Sequence, residues 1–307
     1  MIENKTDQKA LRDAGDGVDH KASGSAVDQI AVQTQDGSGV HTVDIVEQKD
    51  RQMVASLGRG LSILSAFRAS EPVMTNSELA EATGLPRSSV SRLTHTLVKL
   101  GYLEYDAESG GYRLGPRVLA MGYAMRAGMT LRNVAMDHLQ DLAERTFGLA
   151  GLACLQGHGM LMVEVVRASQ ARIGNLEAGV HTPLESTAMG RAYLASSSPT
   201  ERARLMQLLV SQRKMDPAAL SRQVAAACDE YQATGVCTAI DSWRDGNCGA
   251  AVALYLKGFG SRIVLTCGAT RKELSVQRLR EQVVPAVRTI AQQIEHAYEQ
   301  NTRVRLR

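Results

Sequence analysis

Two helices joined by a tight turn are spelled out between Thr75 and Gly101, and this pair constrains the fold more than any other part of the chain. In the stretch TNSELAEATGLPRSSVSRLTHTLVKLG, Thr75 precedes Glu78 by the spacing of a capping box. There the hydroxyl and the carboxylate each accept from a backbone N–H that a helix leaves orphaned. Leu79 and Ala82 then face inward, Gly84 supplies the left-handed backbone that ends a helix, and Pro86 suits the start of the next. In that second helix Val90, Leu93, Leu97 and Leu100 share one side, and Gly101 stops it. The other side carries Arg87, Ser88, Ser91, Arg92, His95 and Lys99, with Ser89 at its rim, and no acid occurs from Pro86 to Leu103. A helix that only had to stay wetted would mix both charge signs there.

The flanks complete a recognisable order. Upstream, Leu57, Leu61, Leu64 and Phe67 recur at helical steps and are expected to face a core. Downstream, Tyr102–Asp106 and Gly111–Leu114 flank an Asp/Ser/Gly turn and predict a hairpin. Helix, helix-turn-helix and hairpin form a winged helix-turn-helix domain. In such domains the start of the second helix meets base edges and the first crosses the DNA backbone. Serine hydroxyls suit phosphates, and arginine bridges guanine O6 and N7. Arg113 and Arg117, on and just after the wing, add positive charge. A solvated helix of a bundle, or a helix-turn-helix used for protein contacts, is the alternative; the acid-free face favours double-stranded DNA.

From Pro116 a long helical stretch follows, with apolar steps at Leu131, Val134, Leu139 and Leu142. Beyond Gly148 short apolar runs and capped helices interleave. LACLQGHGMLMVEVV reads as a hairpin, STAMGRAYLAS as a helix, and two further helices start at Ser198 and Asp216. VCTAID, GAAVALYL and RIVLTCGA read as strands, and a last helix runs from about Ser275 to His296, disturbed at Pro285. The sum is an α+β chain with an antiparallel sheet.

RGLSILSAF, SELAEATGLPRSSVSRLTHTLVKLGYLE and YRLGPRVLAMG together resemble the IclR-type bacterial transcriptional regulators, and HTPLESTAMGRAYLA and GAAVALYL…IVLTCGA resemble that family's effector domain. The resemblance implies a winged helix-turn-helix over residues 56–118, a linker helix over 119–130 and a GAF-like antiparallel-sheet effector-binding domain over 131–300. It also implies homodimers or dimers of dimers on palindromic promoter DNA. The effectors it implies are small organic acids or aromatic catabolites. Carried over by motif, the effector pocket takes Thr187, Ala188 and Met189 at a helix N-terminus, whose N–H groups suit an anion. Asp241, Cys248 and Cys267 join them from the strand ends. Trp243 is either a lid or, the reading preferred here, a turn residue.

Other functions find less in the sequence. No GxSxG, GxGxxG, P-loop or HExxH motif is present, and five cysteines without a CxxC pair make neither a disulfide framework nor a zinc module. Cys154 with His158, or Asp241 as a base, are the handles for a hydrolase or transferase, but a buried cysteine beside a turn histidine is the simpler account. No cofactor or metal is expected. Residues 1–55, polar and without an aromatic, are expected to be a disordered tail; SAVDQIAV and HTVDIV are the parts able to dock as a strand. No signal peptide or membrane span is expected, which points to the cytoplasm. The net charge of +3 conceals the locally basic helix, because the acidic tail offsets it.

Overall fold

The computed structural model describes residues 53–171, 176–256 and 260–305. The first 52 residues, and with them nearly all of the expected tail and both of its apolar patches, lie outside the described residues.

Three helices and a hairpin build the first domain: α1 (Ala55–Ala66), α2 (Asn76–Thr83), α3 (Arg87–Lys99), β1 (Leu103–Asp106) and β2 (Gly111–Leu114). The Thr75–Glu78 capping box forms with both arms, and Gly84 closes α2 in the left-handed conformation at φ 68°. The core is Ile63, Ala66, Phe67, Met74, Leu79, Leu85, Val90, Leu97 and Leu103. Two expectations fail here. Leu57 and Leu61 are more than half exposed, because α1 turns Ile63 and Ala66 inward instead. Leu100 is also exposed, and Thr94 takes an inward place on α3. Its hydroxyl bonds the carbonyls of Val90 and Ser91 and the side chain of Asn76, so a polar residue ties α3 to the start of α2. The wing pairs Glu104 with Arg113 in register, and Met74 bridges to Tyr112 on its outer side.

The expected continuous helix after Pro116 is two helices, α4 (Pro116–Ala127) and α5 (Thr130–Thr146), broken at Gly128–Met129. Helix α4 is thus three residues earlier at each end than the expected 119–130 linker. It buries none of its residues, and Leu119, Met121, Tyr123 and Met125 stand exposed on it. Helix α5 buries Leu131, Ala135, Leu139 and Leu142; Ala135 rather than Val134 faces the sheet. One carboxylate holds the joint. Glu164 is almost fully buried, accepts from Arg126 at 2.9 Å on both oxygens, and accepts from Arg132 at 2.5 Å.

Glu164 belongs to β4 (Gly159–Arg167), which follows β3 (Leu149–Gln156) through the turn at Gly157. A short strand that the sequence did not reveal, β5 (His181–Pro183), edges the sheet. Beyond it come α6 (Ala188–Ser196), α7 (Pro199–Arg213) and α8 (Pro217–Thr234), then β6 (Cys237–Ile240), β7 (Asn247–Leu254) and β8 (Ile263–Thr270). The six strands pair antiparallel in the order β5-β4-β3-β8-β7-β6. Asp216 and Ser198 cap α8 and α7 as expected, while Glu201, three residues after Ser198, does not close a capping box and instead receives Tyr193 and Arg262.

The last helix starts with α9 (Val276–Arg278) and continues as α10 (Val284–Arg305), farther than expected. A π turn over Leu279–Val283 joins them and absorbs Pro285, whose ring would clash with the carbonyl four residues back in a regular helix. One sheet face packs on α5 and α10 through Leu131, Leu139, Val287, Ile290 and Ile294. The other packs on α6, α7 and α8 through Met160, Ala192, Leu205, Leu209 and Leu220. Among the described residues no helix is long and apolar enough to cross a membrane.

Candidate functional site

Two places combine accessible polar chemistry with a defined shape: the outer face of α3 and a cavity at one end of the large sheet.

On α3 the two sides separate by burial. Val90, Thr94 and Leu97 are inside, while Arg87, Ser88, Ser91, Arg92, His95 and Lys99 are exposed and Ser89 is partly exposed. Among the described residues no acid pairs with Arg87, Arg92 or Lys99, so their charge is free to meet a polyanion. The N-terminal turn, where hydroxyls and Arg87 sit, adds the N–H groups that no helix can satisfy internally. Arg113 differs. It pairs with Glu104 across the wing at 3.0 Å, so its charge is already half answered. Arg117 lies 6.0 Å from the Tyr102 ring centroid, against the base of the wing.

The cavity has about 490 Å³ of atom-free space, part of it continuous with open solvent. Its wall on α6 is Thr187, Ala188 and Met189, its floor includes Leu149, Cys248, Thr266 and Cys267, and Ser242, Trp243 and Arg244 roof it. Five of the six expected effector residues therefore meet here. The sixth, Asp241, does not line the cavity. Its carboxylate accepts from Arg271 at 2.5 Å and from the Gly246 N–H at 2.9 Å, which fastens the base of the roof loop. Trp243, read as a turn residue, lines the cavity instead. The signal available was modest: this is the one tryptophan of the chain, set in a polar, glycine-ended loop.

Backbone contact shapes the wall. A Cβ on Gly190 would lie 1.9 Å from the Leu184 carbonyl oxygen, so only glycine lets α6 start against that loop. The Thr187 hydroxyl is spent locally, donating to Pro183 O at 2.7 Å and accepting from the Gly190 N–H at 3.1 Å. What α6 offers a ligand is its first-turn N–H groups rather than that hydroxyl. Met189 turns its sulfur to the Thr182 hydroxyl and is packed in the core. Burial pushes the Cys267 thiol up to about 12 and raises that of Cys248. Both behave as small apolar groups.

The catalytic alternative gains little. Burial also raises the Cys154 thiol, which keeps it protonated and a poor nucleophile. His158 is buried near His181, which burial first, then the charges of Arg68 and His158, push down to about 4. Arg68 follows α1, so this cluster also marks where the first domain approaches the second. Among the described residues no group of three or more His, Cys, Asp or Glu is arranged to hold a metal.

Comparison with known proteins agrees across nearly the whole described chain. The IclR helix-turn-helix domain model matches residues 56–107, and the model of the bacterial transcriptional regulator IclR C-terminal domain matches residues 124–296. The HTH-type transcriptional regulator TsaQ1/TsaQ2 of Comamonas testosteroni is 31% identical over 259 residues, 83% of this chain and 92% of that one. The Pca regulon regulatory protein of Pseudomonas putida is 30% identical over 213 residues, covering 67% of this chain and 71% of its own length. Among solved structures, an IclR family transcriptional regulator from Brucella abortus superposes with a TM-score of 0.76 at 32% identity, over 82% of this chain and 95% of that one.

Proposed function

Because this chain belongs to the IclR family of bacterial transcriptional regulators, DNA-binding proteins with an effector-binding C-terminal domain, we propose how its own residues divide that work. Residues 56–118 read promoter DNA, the linker helix carries the signal, and residues 131–300 sense a small organic acid or aromatic catabolite. The observation that carries this reading is the acid-free, exposed face of α3. Arg87, Ser88, Ser89, Ser91 and Arg92 enter the major groove, and His95 and Lys99 lie along the phosphates. The effector occupies the cavity against Thr187, Ala188, Met189, Cys248 and Cys267. It acts by binding two arrangements of the protein unequally, which shifts DNA affinity.

The working form is a homodimer. A twelve-residue helix with no buried residue has little reason to persist alone in water. A second copy covering Leu119, Met121, Tyr123 and Met125, together with Leu57 and Leu61 of α1, supplies the missing apolar contact. Pairing of two such dimers remains part of the proposal. The protein acts in the cytoplasm beside its DNA and as a regulator without a catalytic step, in keeping with protonated, buried thiols.

Fluorescence anisotropy on the intergenic DNA upstream of its own gene tests the reading. Specific binding in the nanomolar range that weakens steeply with salt is expected. Binding equal to that of shuffled DNA overturns it. Light scattering should give twice the monomer mass, or four times where two dimers pair, and Tyr123→Glu with Leu119→Glu should return the monomer.

A further inference from the structure

Among the described residues, one cation at the mouth of the cavity stands without a counter-charge. Around this end of the sheet Arg191, Arg213 and Arg271 are held by Glu230, Glu185 and Asp241, at 3.3, 3.1 and 2.5 Å. Arg244 lines the cavity and, among the described residues, has no acid within ion-pair distance. Its guanidinium carbon lies 4.5 Å from the centroid of the Trp243 ring, which orients the planar group.

The loop that carries both residues is fixed at its base and to a neighbouring segment. Asp241 and Gly246 adopt left-handed backbone, at φ 54° and 77°. The Asp241 carboxylate bridges Arg271 and the Gly246 N–H, while the Arg271 N–H donates to Gly246 O at 2.7 Å. Directly after Asp241, Ser242 Oγ donates to Ser186 O at 2.9 Å, pinning the loop to the segment before α6. The roof thus presents one aromatic face and one free cation to a cavity whose other walls include Leu149, Leu176 and Met189.

We propose that Trp243 and Arg244 select the effector, and that it is a small planar monoanion, an aromatic carboxylate being the fitting class. Its ring lies beside Trp243 and the apolar walls, and its carboxylate takes the Arg244 guanidinium in a two-bond pair. Asp241 is a positioning residue: it holds the loop through Arg271 and does not touch the ligand. This rests on the reading of the second domain as effector-binding.

Calorimetry on the full chain with benzoate and its neutral isostere benzamide tests the assignment. Wild type should bind benzoate at least ~10-fold more tightly than benzamide, the size expected of one charge-assisted pair. Arg244→Gln should lose that discrimination with benzamide affinity unchanged within about twofold, and Arg244→Lys should keep part of it. Asp241→Asn should weaken both ligands together, and Trp243→Leu likewise, with Trp243→Phe restoring most of the loss. Equal binding of the two ligands by wild type, binding of neither, or discrimination that survives Arg244→Gln overturns the proposal. Operator binding by the unliganded wild type should be specific and should weaken with salt. If wild type itself ignores operator DNA, the regulator reading fails, whatever the ligand titrations show.

Discussion

The exposed face of α3 and the joint at Glu164 use arginine in opposite ways. On α3 the cations have no acid opposite them along the helix or, among the described residues, in space, and the face stays open to a polyanion. At the joint, Arg126 and Arg132 converge on one almost fully buried carboxylate and leave little for a ligand. The contrast teaches that counting arginines does not locate a binding face. What locates it is whether an acid sits across from each one. For α3 that condition is local and readable, since helix neighbours lie within four residues. For Glu164 the partners are 38 and 32 residues away, so only the fold reveals them.

The largest expected effect comes from giving α3 the acid it lacks. Ser91→Glu places a carboxylate beside Arg87 and Arg92 on an exposed position, where the fold has no stake in the residue. Repulsion from phosphate and loss of the free cation should together cost about 3–4 kcal/mol of operator affinity, several hundredfold, by anisotropy. The melting temperature should move by less than about 2 °C. If DNA binding survives, the open face is not the reading face.

Closing the other side of the comparison means opening the joint. Arg126→Ala with Arg132→Ala leaves Glu164 buried without its counter-charges, a change that in a fully buried pair costs about 3–5 kcal/mol. Both arginines are about a third or more exposed, at 32% and 42% of their side chains, so about 2–3 kcal/mol is expected in urea denaturation. Adding Glu164→Gln should recover part of the loss, because an amide is far less costly to bury than a bare charge. No recovery would mean the joint acts by shape rather than by charge.

A third arrangement falls between open and paired. His181 is crowded by Arg68 and His158 as well as buried, and it responds by staying neutral, with its pKa pushed down to about 4. The unfolded chain titrates this group near 6.5, so between about pH 6.5 and 4 the unfolded state binds more protons than the folded one. The stabilising contribution is therefore complete above pH 6.5 and is lost as pH falls through that window. With solvent relaxation of a partly exposed ring, about 1–2 kcal/mol should disappear. His181→Gln should flatten that part of the stability–pH curve; an unchanged slope would assign the titration to another group.

How far the sequence went follows from the same distinction between local and distant partners. Thr75 with Glu78, Gly84 and Asp216 marked helix ends correctly, because a cap is made by residues within one turn. The phase of α1 was misjudged. Leucine spacing could not tell a core stripe from a second apolar surface, and Leu57 and Leu61 belong to the latter. The break at Gly128 and the three-residue strand β5 were too short to leave a period. In the cavity, the α6 segment was legible through its motif. Leu149, Leu176, Thr266 and the roof residues were not, since four distant stretches contribute them. Asp241 illustrates the limit best: the family resemblance implied a ligand contact, and only Arg271, 30 residues later, shows what occupies its carboxylate.

The smallest expected effect lies on the wing, where the two modes meet in one pair. Arg113 belongs by position to the basic surface around α3, yet Glu104 faces it at 3.0 Å with both side chains about half exposed. A pair so wetted is worth only about 0.2–1 kcal/mol, so it neither locks the wing nor fully cancels the charge. Arg113→Gln should weaken operator binding no more than about threefold, far less than a change on α3, and hairpin stability should barely move. Glu104→Gln is the sharper arm: freeing Arg113 for phosphate should raise affinity about twofold and steepen the salt dependence by about one counterion. If instead Arg113→Gln costs as much as Ser91→Glu, the pairing opens on DNA. The wing would then count with α3 among the open cations rather than with the joint.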